Sequence, residues 1–261
     1  MKRFAEKSAA IATVCAVVLL LASAQIFAQD SAESKKKKAE EYDAIAKSQE
    51  DDDKYDWINL FDGKSLQNWI DVQDGGEEAV EVRDGILVLG MGPTTTSIRF
   101  DEKSEIKLPR ENYEVEYVAK RDQGMDFFAA LTFPIGDDYV TFVNGGWGGC
   151  VAGISSIDEM DASENSTSSF FNFRTGVWYR FRVQVTLRTV RVWINDELTV
   201  DYVVEGHSLR TRFEVEKCKP LGFASWVSSG WIKTVRIRTL SDEEVETMNK
   251  RAEQHATFFH L

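Results

Sequence analysis

The strongest constraint on the fold is a run of alternating apolar and polar residues between Val177 and Val204. Within Val177–Val185 every second residue is apolar or tyrosine, and tryptophan, arginine and glutamine lie between them. A period of two places one face of a β-strand in a core and the other face outside it. Turn residues near 187–189 and 195–196 divide the run. The segment therefore predicts three consecutive antiparallel strands.

Segments that predict β-strands extend over most of the chain. Short runs rich in Val, Ile, Phe, Trp and Tyr are separated by Gly, Asp and Asn, and Asp84-Gly85 between two such runs predicts a hairpin. Further predicted strands are Trp57–Phe61, Val80–Val82, Ile86–Leu89, Tyr113–Ala119, Phe127–Phe133, Tyr139–Val143, Leu221–Trp226 and Trp231–Arg238. Since no long helical pattern interrupts them, we expect an all-β sandwich of two antiparallel sheets at residues 55–240.

Residues 1–28 have the parts of a secretory signal peptide: a basic head, an apolar stretch and small residues up to Ala28. The apolar stretch is shorter than the roughly 20 residues that cross a bilayer. We therefore expect a secreted or periplasmic protein with no membrane partner after cleavage, and an uncleaved anchor is the alternative. Export also permits a disulfide between Cys150 and Cys218, and two separate buried thiols are the alternative.

Charged segments flank the predicted sandwich. Residues 29–54 contain almost no large apolar side chain and predict a disordered linker. Ser241 and Glu244 have the spacing of a capping box, which predicts a short helix within the C-terminal residues 241–261. The net charge of −12 argues against a nucleic-acid partner, because phosphates require basic surfaces.

The segment from Trp57 to Trp69, WINLFDGKSLQNW, resembles the opening of the DUF1080 family, also called the 3-keto-disaccharide hydrolase or 3-keto-glucoside lyase/hydratase domain. Later segments around Trp178, Trp193 and Phe223 follow that family's order. The resemblance implies a concanavalin A-like jelly roll and cleavage of the glycosidic bond in 3-keto-glycosides. Such chemistry needs a general base, a stabiliser of the enolate and an acid. Where the family carries other polar residues, this chain has Asp126 and Trp226, so a non-catalytic carbohydrate-binding module is the alternative function.

Several residues are candidates for a site that takes a saccharide ligand or substrate. Asp126 falls at a family site position, and the loop around Asp158 concentrates carboxylates of the kind that serve as acid–base pairs or bind Ca²⁺. The catalytic candidates are Asp126, Asp158 and Glu159; the substrate-binding candidates are Trp147, Trp226, Trp231 and Asn144; the metal-binding candidates are Asp158, Asp161 and Glu164. A solvated acidic loop and a packed glycine-rich turn around Trp147 are the structural alternatives.

Two further patterns lie on predicted strands. Glu114 and Glu116 share one side of a strand at roughly 7 Å, which suits the two carboxylates of an inverting glycosidase or, alternatively, an exposed strand face. The polar face of the 177–195 hairpin presents Trp178, Trp193 and three arginines, which suits a saccharide surface or a solvent-exposed convex face.

Overall fold

The alternating strands build a sandwich of two antiparallel sheets in the computed structural model. The structure describes residues 43–50, 54–72 and 78–259. The predicted signal peptide at 1–28 and most of the predicted linker at 29–54 lie outside the described residues.

Each sheet is formed by strands from distant parts of the chain. Sheet A contains β1 (Ile58–Asn59), β3 (Val80–Arg83), β4 (Ile86–Leu89), β6 (Tyr113–Gly124), β11 (Tyr179–Val185), β12 (Thr189–Ile194), β13 (Glu197–Val203) and β15 (Ser228–Thr239). Sheet B contains β2 (Trp69–Val72), β5 (Thr95–Phe100), β7 (Ala130–Ile135), β8 (Asp138–Gly145), β9 (Val151–Ser155), β10 (Ser169–Phe170) and β14 (Gly222–Trp226). Their orders are β13-β12-β11-β6-β15-β4-β3, with β1 beside β15, and β10-β9-β8-β7-β14-β5-β2. The predicted jelly-roll sandwich is confirmed.

The core lies between the two sheets. On β11 the alternating residues Phe181, Val183 and Val185 are fully buried, as their spacing predicts. Phe181 stacks on Tyr117 of β6 with ring centroids 4.7 Å apart. Aromatic pairs of this kind stabilise the core by about 0.5–1.5 kcal/mol beyond the burial of their surface.

Local turn and capping signals are also confirmed. Asp84 and Gly85 both have positive φ between β3 and β4, as a two-residue hairpin turn requires. Helix α2 (Asp242–Phe259) begins with the predicted capping box, in which Ser241 N–H donates to Glu244 at 2.8 Å. None of the helices in the described ranges combines the length and hydropathy needed to cross a membrane.

The segment expected to be linker contains a packed helix. Helix α1 (Asp43–Glu50) belongs almost entirely to the same compact unit as the sheets, which spans Ala44–Leu261. Its Ser48 is buried and donates a hydrogen bond of 2.6 Å to Glu116 in sheet A.

Cys150 and Cys218 are free thiols, so no disulfide joins them. Burial raises the pKa of Cys218 to about 12, which keeps it protonated and unreactive.

Candidate functional site

A pocket of about 250 Å³ opens on the outer face of sheet B. It is lined by Asp126, Phe127, Ala130, Thr141, Val143, Trp147, Ser155, Arg212, Glu214, Val215 and Trp226. Ala130 and Thr141 face the pocket, whereas their neighbours Leu131 and Phe142 lie in the core, because side chains alternate along a strand. The volume is just below the ~300–1,000 Å³ of typical small-molecule sites, so it suits a ligand of about one sugar ring.

Asp126 brings a carboxylate to this pocket from the segment between β6 and β7. Its Oδ1 accepts a hydrogen bond from Phe127 N–H at 2.8 Å, and its Oδ2 accepts a longer one of 3.3 Å from Gly148 N–H. Ser228 Oγ lies 2.9 Å from Asp126 N and 3.1 Å from Asp126 O, which fixes the backbone. Among the residues that the structure describes, no arginine or lysine binds these oxygens, and the two N–H groups give the side chain a defined position.

Trp147 reaches the pocket from the glycine-rich turn after β8. Its φ of 50° lies in the left-handed region and its side chain is 43% exposed. Nearby, Gly149 has a φ of 105°, and a Cβ there would approach Met125 O to 3.0 Å. The turn thus requires glycine to bring Trp147 beside Asp126.

Trp226, the last residue of β14, also lines the pocket. The next residue, Val227, has a φ of 44°, a strained conformation for a β-branched side chain. Its N–H donates to Thr94 O at 3.3 Å. Strained backbone of this kind is concentrated at functional sites, and here it turns the chain from sheet B into sheet A.

An ionic cluster that the sequence did not indicate forms one wall of the pocket. Arg212 precedes the 3₁₀ helix Phe213–Cys218 and donates to both oxygens of Glu214, at 3.1 and 2.8 Å. Its remaining nitrogen Nη1 pairs with Asp161 from the acidic loop. The Glu214 and Asp161 carboxylates raise the pKa of Arg212.

A second arginine lies buried behind the pocket. Arg121 donates to the backbone carbonyls of Phe173 at 2.6 Å, Asp126 at 3.3 Å and Gly149 at 3.4 Å. Burial lowers its pKa, and the charge of Asp126 opposes that effect. This guanidinium joins the two segments that carry Asp126 and Trp147.

Three predicted site residues line the pocket: Asp126, Trp147 and Trp226. The other predicted site residues do not line it. Trp231 lies on sheet A, where Lys120 Nζ is 4.0 Å from its ring. Asn144 is fully buried, and its Nδ2 donates to Phe128 O at 2.6 Å, so it supports the segment next to Asp126 rather than lining the pocket.

The two predicted catalytic residues of the acidic loop contact different side chains. Asp158 Oδ2 lies 2.6 Å from His207 Nδ1, and this contact lowers the pKa of Asp158. Glu159 lies 3.2 Å from Arg210 Nη2. Neither residue lines the pocket.

The predicted metal ligands have other partners. Asp158 pairs with His207 and Asp161 with Arg212, while Glu164 accepts a hydrogen bond from Asp161 N–H at 3.2 Å. Across the described residues, no group of three or more His, Cys, Asp or Glu side chains is arranged to hold a metal ion. The three residues therefore do not fit a Ca²⁺ site in this structure.

Glu114 and Glu116 form neither an exposed face nor a glycosidase pair. Both are fully buried on the outer side of sheet A. Glu116 accepts bonds from Arg180 at 2.5 Å and Arg236 at 2.9 Å, and Glu114 pairs with Arg182 and Arg238. Ser48 of α1 bonds Glu116, and Glu244 of α2 bonds Arg238, so the expectation of a solvent-exposed convex face is wrong over this part of the sheet.

Residues 56–238 match a family model described as "3-keto-alpha-glucoside-1,2-lyase-like domain". The chain belongs to this family. A comparison with curated protein sequences gives no match.

Solved structures are similar to this 3-keto-alpha-glucoside-1,2-lyase-like domain at low sequence identity. A candidate glycosyl hydrolase from Parabacteroides distasonis has 15% identity and a TM-score of 0.45, covering 71% of this chain and 94% of that chain. The Crh5 transglycosylase has 12% identity and a TM-score of 0.48, covering 71% and 84%. The carbohydrate-binding module CBM66 from Bacillus subtilis has 11% identity and a TM-score of 0.42, covering 66% and 96%.

The opening motif that carried the resemblance has a structural role. Leu60 and Trp69 are buried, and Trp69 Nε1 donates to Leu60 O at 2.8 Å. Asp62 accepts backbone bonds from Lys64 and Ser65, which lower its pKa and close the turn. The motif thus marks the fold of the family rather than its pocket.

Proposed function

We propose that this domain binds 3-keto-glycosides in the sheet B pocket and cleaves their glycosidic bond, with Asp126 as the general base. The proposal rests on one observation: Asp126, Trp147 and Trp226 line the same pocket in a chain that belongs to this family. Indole rings offer flat apolar surfaces against which a sugar ring stacks, and the carboxylate provides a proton acceptor beside them.

The chemistry follows from the ketone. A carbonyl at C3 acidifies the hydrogen on C2, so that a carboxylate can remove it and form an enolate. Collapse of the enolate breaks the bond from C1 to the glycosidic oxygen, which leaves with a proton and gives an enone. Addition of water to the enone yields the free keto sugar.

Asp126 suits the proton transfers because its oxygens contact only backbone N–H groups among the described residues. The other carboxylate of the pocket, Glu214, is held by Arg212. The proton that Asp126 takes from C2 is therefore available to return to the leaving oxygen. Residues 1–28 support the further proposal that the reaction takes place outside the cytoplasm, and N-terminal sequencing of the mature protein tests it.

Release of free sugar from a 3-keto-disaccharide tests the enzyme. Asp126→Asn is expected to lower kcat by about 100-fold or more, as loss of a general base does. Asp122→Asn is the matched control, because Asp122 pairs with Lys120 of sheet A, outside the pocket lining. Turnover that persists in Asp126→Asn would exclude Asp126 as the base. Turnover by neither the wild type nor the variants would exclude the enzymatic function.

A non-catalytic carbohydrate-binding function is the second candidate. It is favoured by the mutual pairing of Arg212 and Glu214, which leaves the pocket with one carboxylate outside an ion pair. Saccharide binding without turnover, weakened in Trp147→Ala or Trp226→Ala, would support this function instead.

A further inference from the structure

Arg212 is the single cation among the described residues that line the pocket; its side chain is 40% exposed, and each of its three nitrogens bonds a protein carboxylate. Glu214 accepts from Nε and Nη2, and Asp161 accepts from Nη1. The Glu214 and Asp161 side chains are only 16% and 20% exposed, so solvent competes weakly for these pairs. A planar guanidinium that is bound on two edges has little capacity left for a ligand anion.

The remaining charges make the pocket unfavourable for an anion. Asp126 faces it with a carboxylate that, within the described part of the chain, accepts only from backbone N–H groups. Arg121 is buried behind Asp126 and directs its donors at three backbone carbonyls rather than into the cavity. Three carboxylates therefore lie around the cavity with two guanidinium groups, and both guanidinium groups already bond protein oxygens.

We infer that Arg212, held by Glu214 and Asp161, determines specificity: the pocket accepts uncharged saccharides and rejects those that carry a carboxylate. This inference rests on the proposed function, since it concerns the same pocket. An arginine that lines a sugar site would ordinarily bind a uronate carboxylate through two hydrogen bonds. Here the two protein carboxylates occupy that position.

Calorimetric titration with the C-methyl glycosides of 3-keto-glucose and 3-keto-glucuronic acid tests the inference, because the two ligands differ only in the CH₂OH or carboxylate group at C5. Neither has a glycosidic oxygen that could leave, so their binding is measured without cleavage. The wild type is expected to bind the uncharged ligand about tenfold or more tightly. Glu214→Gln should reduce this ratio by about tenfold, since it releases part of the Arg212 guanidinium. High ionic strength should also reduce the wild-type ratio.

Glu216→Gln is the matched control: it removes the same charge from the same 3₁₀ helix, but Glu216 pairs with Lys219 and does not line the pocket. Its ligand ratio should equal that of the wild type. Arg212→Met leaves Glu214 and Asp161 without their counter-charge and should increase the rejection of the glucuronide. An unchanged or smaller ratio in this folded variant would contradict the role of the cluster.

The possible failures are distinguishable. Equal affinity of the wild type for both ligands, or an unchanged ratio in a folded Glu214→Gln protein, would overturn the specificity role and leave the proposed function intact. If the wild type binds neither ligand, the proposed function fails and the specificity role fails with it.

Discussion

Ser228 of sheet A holds the backbone of Asp126, the carboxylate residue of a pocket that opens on sheet B. Its hydroxyl lies 2.9 Å from the Asp126 nitrogen and 3.1 Å from the Asp126 carbonyl oxygen, across 102 residues of sequence. Ser228 is almost fully buried, and a Cβ on Gly124 would approach its Oγ to 2.5 Å. The position of the proposed base therefore depends on both sheets.

Ser228→Ala should lower the rate of 3-keto-disaccharide cleavage by about tenfold, because small displacements of a reacting group are costly. It should also lower the free energy of unfolding by about 1–3 kcal/mol, the cost of an unsatisfied buried backbone group. Ser229→Ala is the control, since Ser229 is also buried but donates to Leu89 O. Steady-state kinetics and urea unfolding measure both effects. Equal rate losses in the two variants would contradict a specific role for Ser228.

Replacing a tryptophan should weaken saccharide binding only where that tryptophan lines the pocket on sheet B. Trp147→Ala and Trp226→Ala should each weaken saccharide binding by about tenfold, or ~1.4 kcal/mol, because both indoles line the pocket. Trp231→Ala should leave binding unchanged, since Trp231 packs against Lys120 on sheet A. Titration calorimetry on the three variants checks this. Weaker binding in Trp231→Ala alone would place the saccharide on sheet A.

Strands marked by alternation, by a run of large apolar residues or by an adjacent turn signal could be predicted from the sequence, and strands without such a mark could not. β4 has the predicted bounds, Ile86–Leu89. β5 (Thr95–Phe100) was missed because its Thr96 and Ser97 are as buried as its Ile98, under the 3₁₀ helix, so no alternation marks it. Alternation also failed to show whether Glu114 and Glu116 face solvent, since a buried ionic layer has the same period of two.

Only part of the site could be predicted from the sequence, because sequence patterns mark local features and not contacts between distant residues. Asp126 and Trp226 were found through the family likeness and Trp147 through its glycines, all local signals. Arg212 pairs with Asp161 across 51 residues, and neither position carries a pattern that indicates the contact. The acidic loop around Asp158 was predicted as a site from its composition alone. In the structure Asp158 contacts His207, and Glu159 pairs with Arg210.

The buried network on sheet A should be important for stability and not for ligand binding. Glu116→Gln should lower the free energy of unfolding by about 3–5 kcal/mol, because it removes the carboxylate that Arg180 and Arg236 share. Glu81→Gln should change it by less than about 1 kcal/mol, since the Glu81–Arg83 pair is exposed. Guanidinium unfolding measures both values. A loss of saccharide binding in folded Glu116→Gln would instead support a role for this glutamate in the site.

The start of α2 should contribute to the acid sensitivity of the domain. The side-chain bond from Arg238 and the capping bonds from Ser241 hold the pKa of Glu244 at about 2, below its ordinary 4.5. Because the folded pKa is depressed, the carboxylate stabilises the fold above about pH 4.5, and this contribution is lost as the pH falls towards 2. The difference in unfolding free energy between the wild type and Glu244→Gln should therefore be largest near pH 6 and shrink between pH 4.5 and pH 2. Urea unfolding over this range, with Glu243→Gln from the same helical turn as the control, measures the difference. A difference that does not change with pH would show that the Arg238–Glu244 pair does not drive the acid response.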